Sequence, residues 1–163
     1  MKRLLLLRHA KSSWAEPGLA DFDRPLNERG LRAAPLVGRF LLRRKLRPDL
    51  VLSSPAERAR RTAALVAEAA GLDAPVRYDE RIYEAPAGRL VEVVSELEEA
   101  AEEVLLVGHN PGMEELIELL AGERQGMPTA ALARVSLGVE KWSRVRAGTG
   151  RLELHVRPRE LEE

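Results

Sequence analysis

Short apolar runs alternate with longer segments of helical periodicity along this chain. Three runs, at residues 4–7, 50–52 and 104–107, are too short for buried helices and are followed by polar or small residues, a pattern typical of central parallel strands. Hydrophobic spacing predicts helices in the intervening and following segments, at residues 28–46, 57–70, 89–101 and 111–120. This alternation predicts βαβ units and an α/β fold with a mostly parallel central sheet.

The remaining segments contain two further strand candidates and one long loop. Residues 131–139 and 152–156 are predicted to be strands that pair as a hairpin or add to the sheet edge. Residues 11–26 show no periodicity, and so long a loop in a compact domain is usually functional or mobile. The charged residues 157–163 are expected to form a frayed tail.

Composition restricts the class of protein. A chain of 163 residues with 45% hydrophobic and 32% charged content is sufficient for one soluble domain, at residues 1–163. The 26 lysines and arginines balance 26 aspartates and glutamates, which argues against nucleic acid or an anionic membrane as partner. The absence of cysteine excludes disulfides, a thiolate nucleophile and a zinc-thiolate site. No apolar run is long enough to span a membrane, and the expected location is the cytoplasm.

Two of the three histidines follow predicted strands. In open α/β sheets, ligands bind beyond the carboxyl ends of the strands. Arg8 and His9 follow the first strand, and His109 follows the strand at 104–107. A lone histidine is most often structural, but two in matching positions indicate a functional pair. For His155, which lies in an alternating run, we expect a surface or edge position.

The helix after the second strand brings an arginine towards these histidines. A capping box from Ser54 to Glu57, with Pro55 in the first helical position, predicts where this helix begins. The helical periodicity places Arg58 beside the buried face and Arg61 on the solvated face, where it can pair with Glu57. We therefore expect Arg58 in the pocket; the alternative is a side chain that lies along the surface with its charge in water.

Another helix is predicted after residues 104–107, with Asn110 as its N-cap and Pro111 in its first turn. The candidate site then holds two imidazoles, two guanidiniums and two helix N-termini, without a carboxylate cluster for a metal. Such a site suits a phosphoryl group, because arginine binds phosphate oxygens and a neutral imidazole nitrogen can attack phosphorus. We expect a phosphate or sulfate anion between Arg8 and Arg58, and neither a metal nor a cofactor.

Three motifs, in this order, resemble the histidine phosphatase superfamily, which includes the cofactor-dependent phosphoglycerate mutases. They are Arg8-His9-Ala10, then Ser53-Ser54-Pro55 followed by Arg58 and Thr62, and finally Gly108-His109-Asn110. Residues 11–14 and 23–27, with Gly30, are most similar to SixA-type phosphohistidine phosphatases. The resemblance implies a three-layer α/β/α fold of the phosphoglycerate mutase type and a phosphorylated protein as substrate.

The resemblance also implies roles for the site residues. His9 would be the nucleophile that becomes phosphorylated, and the phosphoryl oxygens would be held by Arg8, Arg58 and His109. Residues 79–83 are similar to the mutase segment that carries an acidic residue, which indicates Glu80 as the general acid. The alternative for Glu80 is a surface carboxylate paired with a nearby arginine. Asp21 and Asp23 are further candidates, and the resemblance to SixA-type enzymes also allows catalysis without a dedicated acid.

Two other functions stay open at this point. One is hydrolysis of a small phosphomonoester by an enzyme of the same superfamily, and the other is a non-catalytic phosphate-binding module. Ala10 stands where mutases usually have glycine, which argues against mutase activity. The chain also has no long insertion between the second strand and His109 that would cover the site. We therefore expect an open cleft, which admits a phosphorylated protein side chain.

Overall fold

The computed structural model describes residues 1–161 and contains one six-stranded sheet. In chain order the strands are β1 (Lys2–Arg8), β2 (Leu50–Ser53), β3 (Val76–Tyr78), β4 (Glu103–Gly108), β5 (Leu132–Leu137) and β6 (Gly150–Val156). Their order across the sheet is β3-β2-β4-β1-β5-β6. The first four strands are parallel, β5 pairs with β1 in the antiparallel direction, and β6 pairs antiparallel with β5 at the edge of the sheet. The predicted α/β fold and the predicted pairing of the last two strands are confirmed.

Four α-helices cover the two faces of the sheet. They are α1 (Glu28–Arg43), α2 (Glu57–Ala70), α3 (Ala87–Ser95) and α4 (Gly112–Ala121). Alternate residues of β1 point to opposite faces, so Leu5 and Leu7 belong to the core under α1 and α2. Leu4 and Leu6 belong to the core under α3 and α4. The result is the three-layer α/β/α arrangement that the resemblance implied.

Several element boundaries differ from the predicted ones. Helix α1 ends at Arg43 instead of residue 46, because Lys45 adopts a left-handed backbone with φ of 57°. Helix α3 ends at Ser95, and the segment after it turns so that the Ala101 carbonyl accepts hydrogen bonds from Lys2 Nζ and Trp142 Nε1. Strand β3 was not predicted, since its three residues are all exposed and form no apolar run.

The carboxyl-terminal segment is ordered further than predicted. Residues Pro158–Glu160 form a short 3-10 helix, and Leu161 after it is buried in the core beside α1. Anchoring of Leu161 explains why this segment does not fray within the described residues. The last part of the predicted tail, residues 162–163, lies outside them. Within residues 1–161, no helix is both long and apolar enough to cross a membrane.

Candidate active site

The parallel strands β1, β2 and β4 end side by side and bring the predicted site residues together. Arg8 is paired with Gly108, and the backbone N–H of His9 donates to the Gly108 carbonyl at 3.0 Å. Ser54, which follows β2, donates its backbone N–H to the carbonyl of Val107 at 3.0 Å. His109, which follows β4, therefore lies next to the loop that follows β1 and the loop that follows β2. These residues surround an open cleft of about 220 Å³ that Arg8, His9, Arg58 and His109 line.

His9 is held in one orientation and one tautomer. Its side chain is buried, and Nδ1 lies 2.8 Å from the Ala10 carbonyl oxygen. Because a carbonyl only accepts hydrogen bonds, Nδ1 carries the proton and Nε2 is unprotonated. Arg58 Nε donates to this Nε2 at 3.3 Å. Burial, with electrostatic repulsion from His109, Arg58 and Arg8 as lesser causes, lowers the pKa of His9 to about 3, so the ring is neutral at physiological pH.

His109 is packed against His9, with ring centroids 5.1 Å apart. Its Nε2 shares a 2.7 Å hydrogen bond with the Ser54 hydroxyl. Burial, followed by the charge of Arg58, lowers the pKa of His109 to about 4. Among the described residues, Nδ1 of His109 and Nε of Arg8 are buried without a hydrogen-bond partner. Buried groups of this kind ordinarily have a partner, and both of these atoms belong to residues that line the cleft.

Arg58 lies in the cleft, as the helical periodicity predicts, and not along the surface. Its side chain is 6% exposed. Nη1 donates to the backbone carbonyl of Asp21 at 2.7 Å, and Nη2 donates to the Asp21 carboxylate at 3.0 Å. Arg61, one turn further along α2, is exposed. Thr62 connects this turn of α2 to the loop after β1, because its hydroxyl accepts a hydrogen bond from the Ala10 N–H and donates one to the Arg58 carbonyl.

The long loop of residues 11–26 folds over one side of the cleft and supplies Asp21. The Asp21 carboxylate accepts hydrogen bonds from the Tyr83 hydroxyl at 2.6 Å and from Arg24 at 2.9 Å, besides that from Arg58. The Tyr83 hydrogen bond is the largest of several causes that hold the pKa of Asp21 well below its usual range. Burial, and then Asp21, raises the pKa of Tyr83 to about 12. Asp21 is therefore ionised at neutral pH and anchors Arg58.

Tyr83 was missed as a site residue by sequence reasoning. Its ring lies nearly perpendicular to that of His109, with centroids 5.4 Å apart, and Tyr83 is 62 residues from Asp21 in the chain. No local pattern connects residues so far apart. The only available signal was its place at the end of the segment 79–83, which resembles a mutase segment.

Both predicted helix caps are wrong. Helix α2 begins at Glu57 with Ala56 as its N-cap, so Pro55 precedes the helix and Ser54 forms no capping box. The Ser54 hydroxyl instead accepts from the Ala56 N–H and bonds to His109. In α4 the N-cap is Pro111. The side chain of the residue before it, Asn110, donates to Glu114 and to the Met127 carbonyl and so holds the neighbouring loop.

The two candidate general acids Glu80 and Asp23 do not lie in the cleft with the histidines. Glu80 is exposed in a short 3-10 helix and does not line the cleft. Asp23 is exposed as well. Glu84 lines the cleft, although sequence reasoning did not select it. Within residues 1–161, no group of three histidine, aspartate or glutamate side chains could hold a metal ion.

The fold and the cleft together define an α/β protein in which histidines and arginines line one cleft. Residues 4–103 match the histidine phosphatase superfamily (branch 1), and the chain belongs to that superfamily. An uncharacterised protein of Mycobacterium tuberculosis (strain ATCC 25618 / H37Rv) is 41% identical over 130 residues, covering 80% of this chain and 78% of that protein. A chloroplastic protein of Arabidopsis thaliana, also uncharacterised, is 32% identical over 158 residues, covering 91% of this chain and 72% of that protein.

Solved structures specify the type within the superfamily. A candidate phosphohistidine phosphatase SixA from Agrobacterium tumefaciens is 35% identical, with a TM-score of 0.83 over 96% of this chain and 98% of that one. The protein histidine phosphatase SixA complexed with tungstate is 25% identical, with a TM-score of 0.84 over 98% and 99% of the two chains. The chain is therefore a SixA-type member of the superfamily. Membership supports phosphatase activity, which is the hydrolysis of a phosphate linkage.

Proposed function

We propose that this protein removes phosphate from phosphohistidine in proteins, without a metal, through an intermediate in which His9 is phosphorylated. The observation that carries this proposal is the neutral His9, whose unprotonated Nε2 accepts a 3.3 Å hydrogen bond from Arg58 Nε among the residues that line the cleft. A neutral imidazole nitrogen is the form that attacks phosphorus. The tungstate in the related SixA structure is consistent with a tetrahedral oxyanion as the ligand of such a fold.

The proposed reaction has two displacements at phosphorus. In the first, His9 Nε2 forms a bond to phosphorus while the bond to the substrate imidazole breaks, and the leaving nitrogen takes up a proton from solvent or from an acid in the cleft. In the second, a water oxygen attacks phosphorus and the bond to Nε2 breaks, which leaves His9 neutral, and the protons of that water stay on the released phosphate or pass to solvent. The phosphoryl oxygens are held throughout by Arg8, Arg58 and His109, whose donors stabilise the charge that develops in each transition state.

The open cleft supports a protein substrate. The indole of Trp14 is 75% exposed at the rim and is stacked on Arg24, whose guanidinium carbon lies 3.3 Å from the ring centroid. An exposed aromatic ring in a fixed position resembles the anchor residues of protein interfaces. An enzyme for a small ester more often encloses its substrate to exclude water.

A comparison of substrates tests the proposal. Specificity constants are measured with EDTA present for a phosphohistidine protein, for phosphoserine and for p-nitrophenyl phosphate. We expect the phosphohistidine protein to have the highest kcat/KM and His9→Ala to abolish release of phosphate from all three. A higher kcat/KM for a small ester would show that the protein is a small-molecule phosphomonoester phosphatase instead. Full activity of His9→Ala would exclude the mechanism through phosphorylated His9.

A further inference from the structure

A second groove, of about 500 Å³, lies directly beside the catalytic cleft. Its walls are the first half of α1, the loop of residues 125–129, and the segment around the carboxyl-terminal 3-10 helix Pro158–Glu160. Lys11 and Thr129 line both the groove and the cleft. A chain segment lying in the groove would therefore reach the phosphoryl site without leaving the protein surface.

The groove is strongly basic although the whole chain has no net charge. Its lining includes five cationic side chains and, within the described residues, no aspartate or glutamate; the five are Lys11, Arg29, Arg32, Arg157 and Arg159. Arg157 is paired with Glu160 at 3.0 Å. The other four have no acidic partner within residues 1–161. Unpaired charge of one sign in a concave surface attracts ligands of the opposite sign.

The backbone holds these charges in place. Gly30 packs so closely on the Lys11 carbonyl that a Cβ atom there would overlap it, and the same carbonyl accepts the Asn27 N–H at 2.9 Å. The start of α1 is thereby fixed against the nucleophile loop. Arg29 and Arg32, three residues apart, project from one face of this helix. On the opposite wall, the buried Leu161 anchors the segment that carries Arg157 and Arg159.

The lining of the groove is partly apolar, which indicates the kind of ligand it fits. Ala33 and Leu36 of α1 contribute to it together with Pro128 and Pro158. A mixture of apolar and cationic side chains suits an extended peptide that carries carboxylates. Nucleic acid fits less well, because among the described residues no phenylalanine, tyrosine or tryptophan lines the groove for base stacking.

We propose that this groove binds an acidic segment of the protein substrate, next to the phosphorylated side chain that enters the cleft. The proposal rests on the proposed function for the identity of the substrate, but the binding it describes is measurable without catalysis. Contacts in the groove would lower KM for a protein substrate and would leave the reaction of a small ester unaffected, since that ester occupies only the cleft.

Fluorescence anisotropy with a labelled peptide of about twelve residues, half of them glutamate, tests the docking directly. We expect Arg29→Glu/Arg32→Glu to weaken binding about tenfold or more, and added salt to weaken binding to the wild type. The matched control is Arg39→Glu/Arg61→Glu, which makes the same charge change at exposed positions outside the groove and should bind within about twofold of the wild type. Equal binding by the two double variants, or tighter binding of a single-stranded oligonucleotide of the same charge, would overturn the proposal.

Kinetics with the same variants separates docking from the proposed function. For Arg29→Glu/Arg32→Glu we expect KM for a phosphohistidine peptide with glutamate flanks to rise about tenfold, with kcat/KM for p-nitrophenyl phosphate within about twofold of the wild type. If the wild type released no phosphate from the phosphohistidine peptide, the proposed function would fail, and the anisotropy result would still decide the docking. An unchanged KM for that peptide would count against docking.

Discussion

Single side chains at the cleft are connected to one another by hydrogen bonds. Arg58 connects His9 to the long loop, because its Nε donates to His9 and its two terminal nitrogens donate to Asp21. The Asp21 charge thus orients the guanidinium and leaves its Nε beside His9 Nε2. Because the pKa of Asp21 is held well below its usual range, we expect Asp21 to act through Arg58 and not as the proton donor to the leaving group.

Replacement of Arg58 tests its role. We expect Arg58→Ala to lower kcat for p-nitrophenyl phosphate by about 10²-fold or more, because removal of one preorganised donor to transition-state charge has an effect of that order. Arg61→Ala, on the exposed side of the same helix, is the control and should stay within about twofold of the wild type. Similar losses in the two variants would contradict the assignment of Arg58.

The residue that protonates the leaving group stays a prediction. Substrates whose leaving groups differ in their need for a proton can identify it. The cleft geometry favours Glu84 over Glu80. We expect Glu84→Gln to lower kcat/KM for glycerol phosphate, whose alkoxide needs a proton, by about 10²-fold, and to have little effect with p-nitrophenyl phosphate. Glu80→Gln should leave both rates within about twofold. If Glu80→Gln instead lowered kcat/KM for glycerol phosphate alone, Glu80 would be the general acid, as the sequence indicated.

Sequence reasoning located the residues that follow strands and missed the contacts between distant segments. His9 and His109 could be predicted because parallel strands place their carboxyl ends together, and Arg58 because helical periodicity fixes its face. The Asp21–Tyr83 hydrogen bond joins two loops that carry no periodicity. Ser54 has the right spacing for a capping box, yet the nearby imidazole uses its hydroxyl, and only the fold brings the two together.

Among the elements, regular amphipathic segments were predicted best. Helix α2 has the predicted bounds, with Gly71 in the left-handed conformation at its end, where glycine is favoured. The core strands have continuous apolar sequences because helices cover both of their faces. Strand β3 could not be found in the same way, because it is a short, exposed edge strand whose pairing with β2 depends on the rest of the sheet.

A glycine at the start of α1 gives a test at the level of elements. We expect Gly30→Ala to lower the free energy of unfolding by about 1–3 kcal/mol, since its Cβ would collide with the Lys11 backbone and force helix and loop apart. The same shift should lower activity, because Lys11 lies two residues after His9. Gly88→Ala in α3, where a Cβ meets open space, should be neutral or stabilising by up to about 1 kcal/mol. Urea unfolding compares the two, and equal stability would contradict the packing described here.

For the whole molecule, the buried histidines predict how stability depends on pH. The pKa of His9 is lowered to about 3 and that of His109 to about 4, whereas unfolded histidine titrates near pH 6.5. Between these values the unfolded chain binds more protons than the folded one, so the free energy of unfolding falls as the pH decreases. From pH 7 to pH 5 we expect a loss on the order of 1–2 kcal/mol per histidine.

Urea unfolding in phosphate-free buffer at the two pH values measures this loss. The double variant His9→Gln/His109→Gln should show a smaller difference between pH 7 and pH 5, whatever its absolute stability. His155→Gln is the control, because its side chain is not fully buried, and it should keep the wild-type difference. A double variant with unchanged pH dependence would show that the two rings are not held neutral by the fold.

The covalent step is tested most directly by trapping the enzyme during turnover. The enzyme is mixed with p-nitrophenyl phosphate, quenched in base within milliseconds, digested and examined by mass spectrometry. We predict one added phosphoryl group on His9, stable in base and lost in acid, and no such group in His9→Ala. Release of phosphate without any phosphorylated His9, or a phosphorylated enzyme that persists in His9→Ala, would contradict the account.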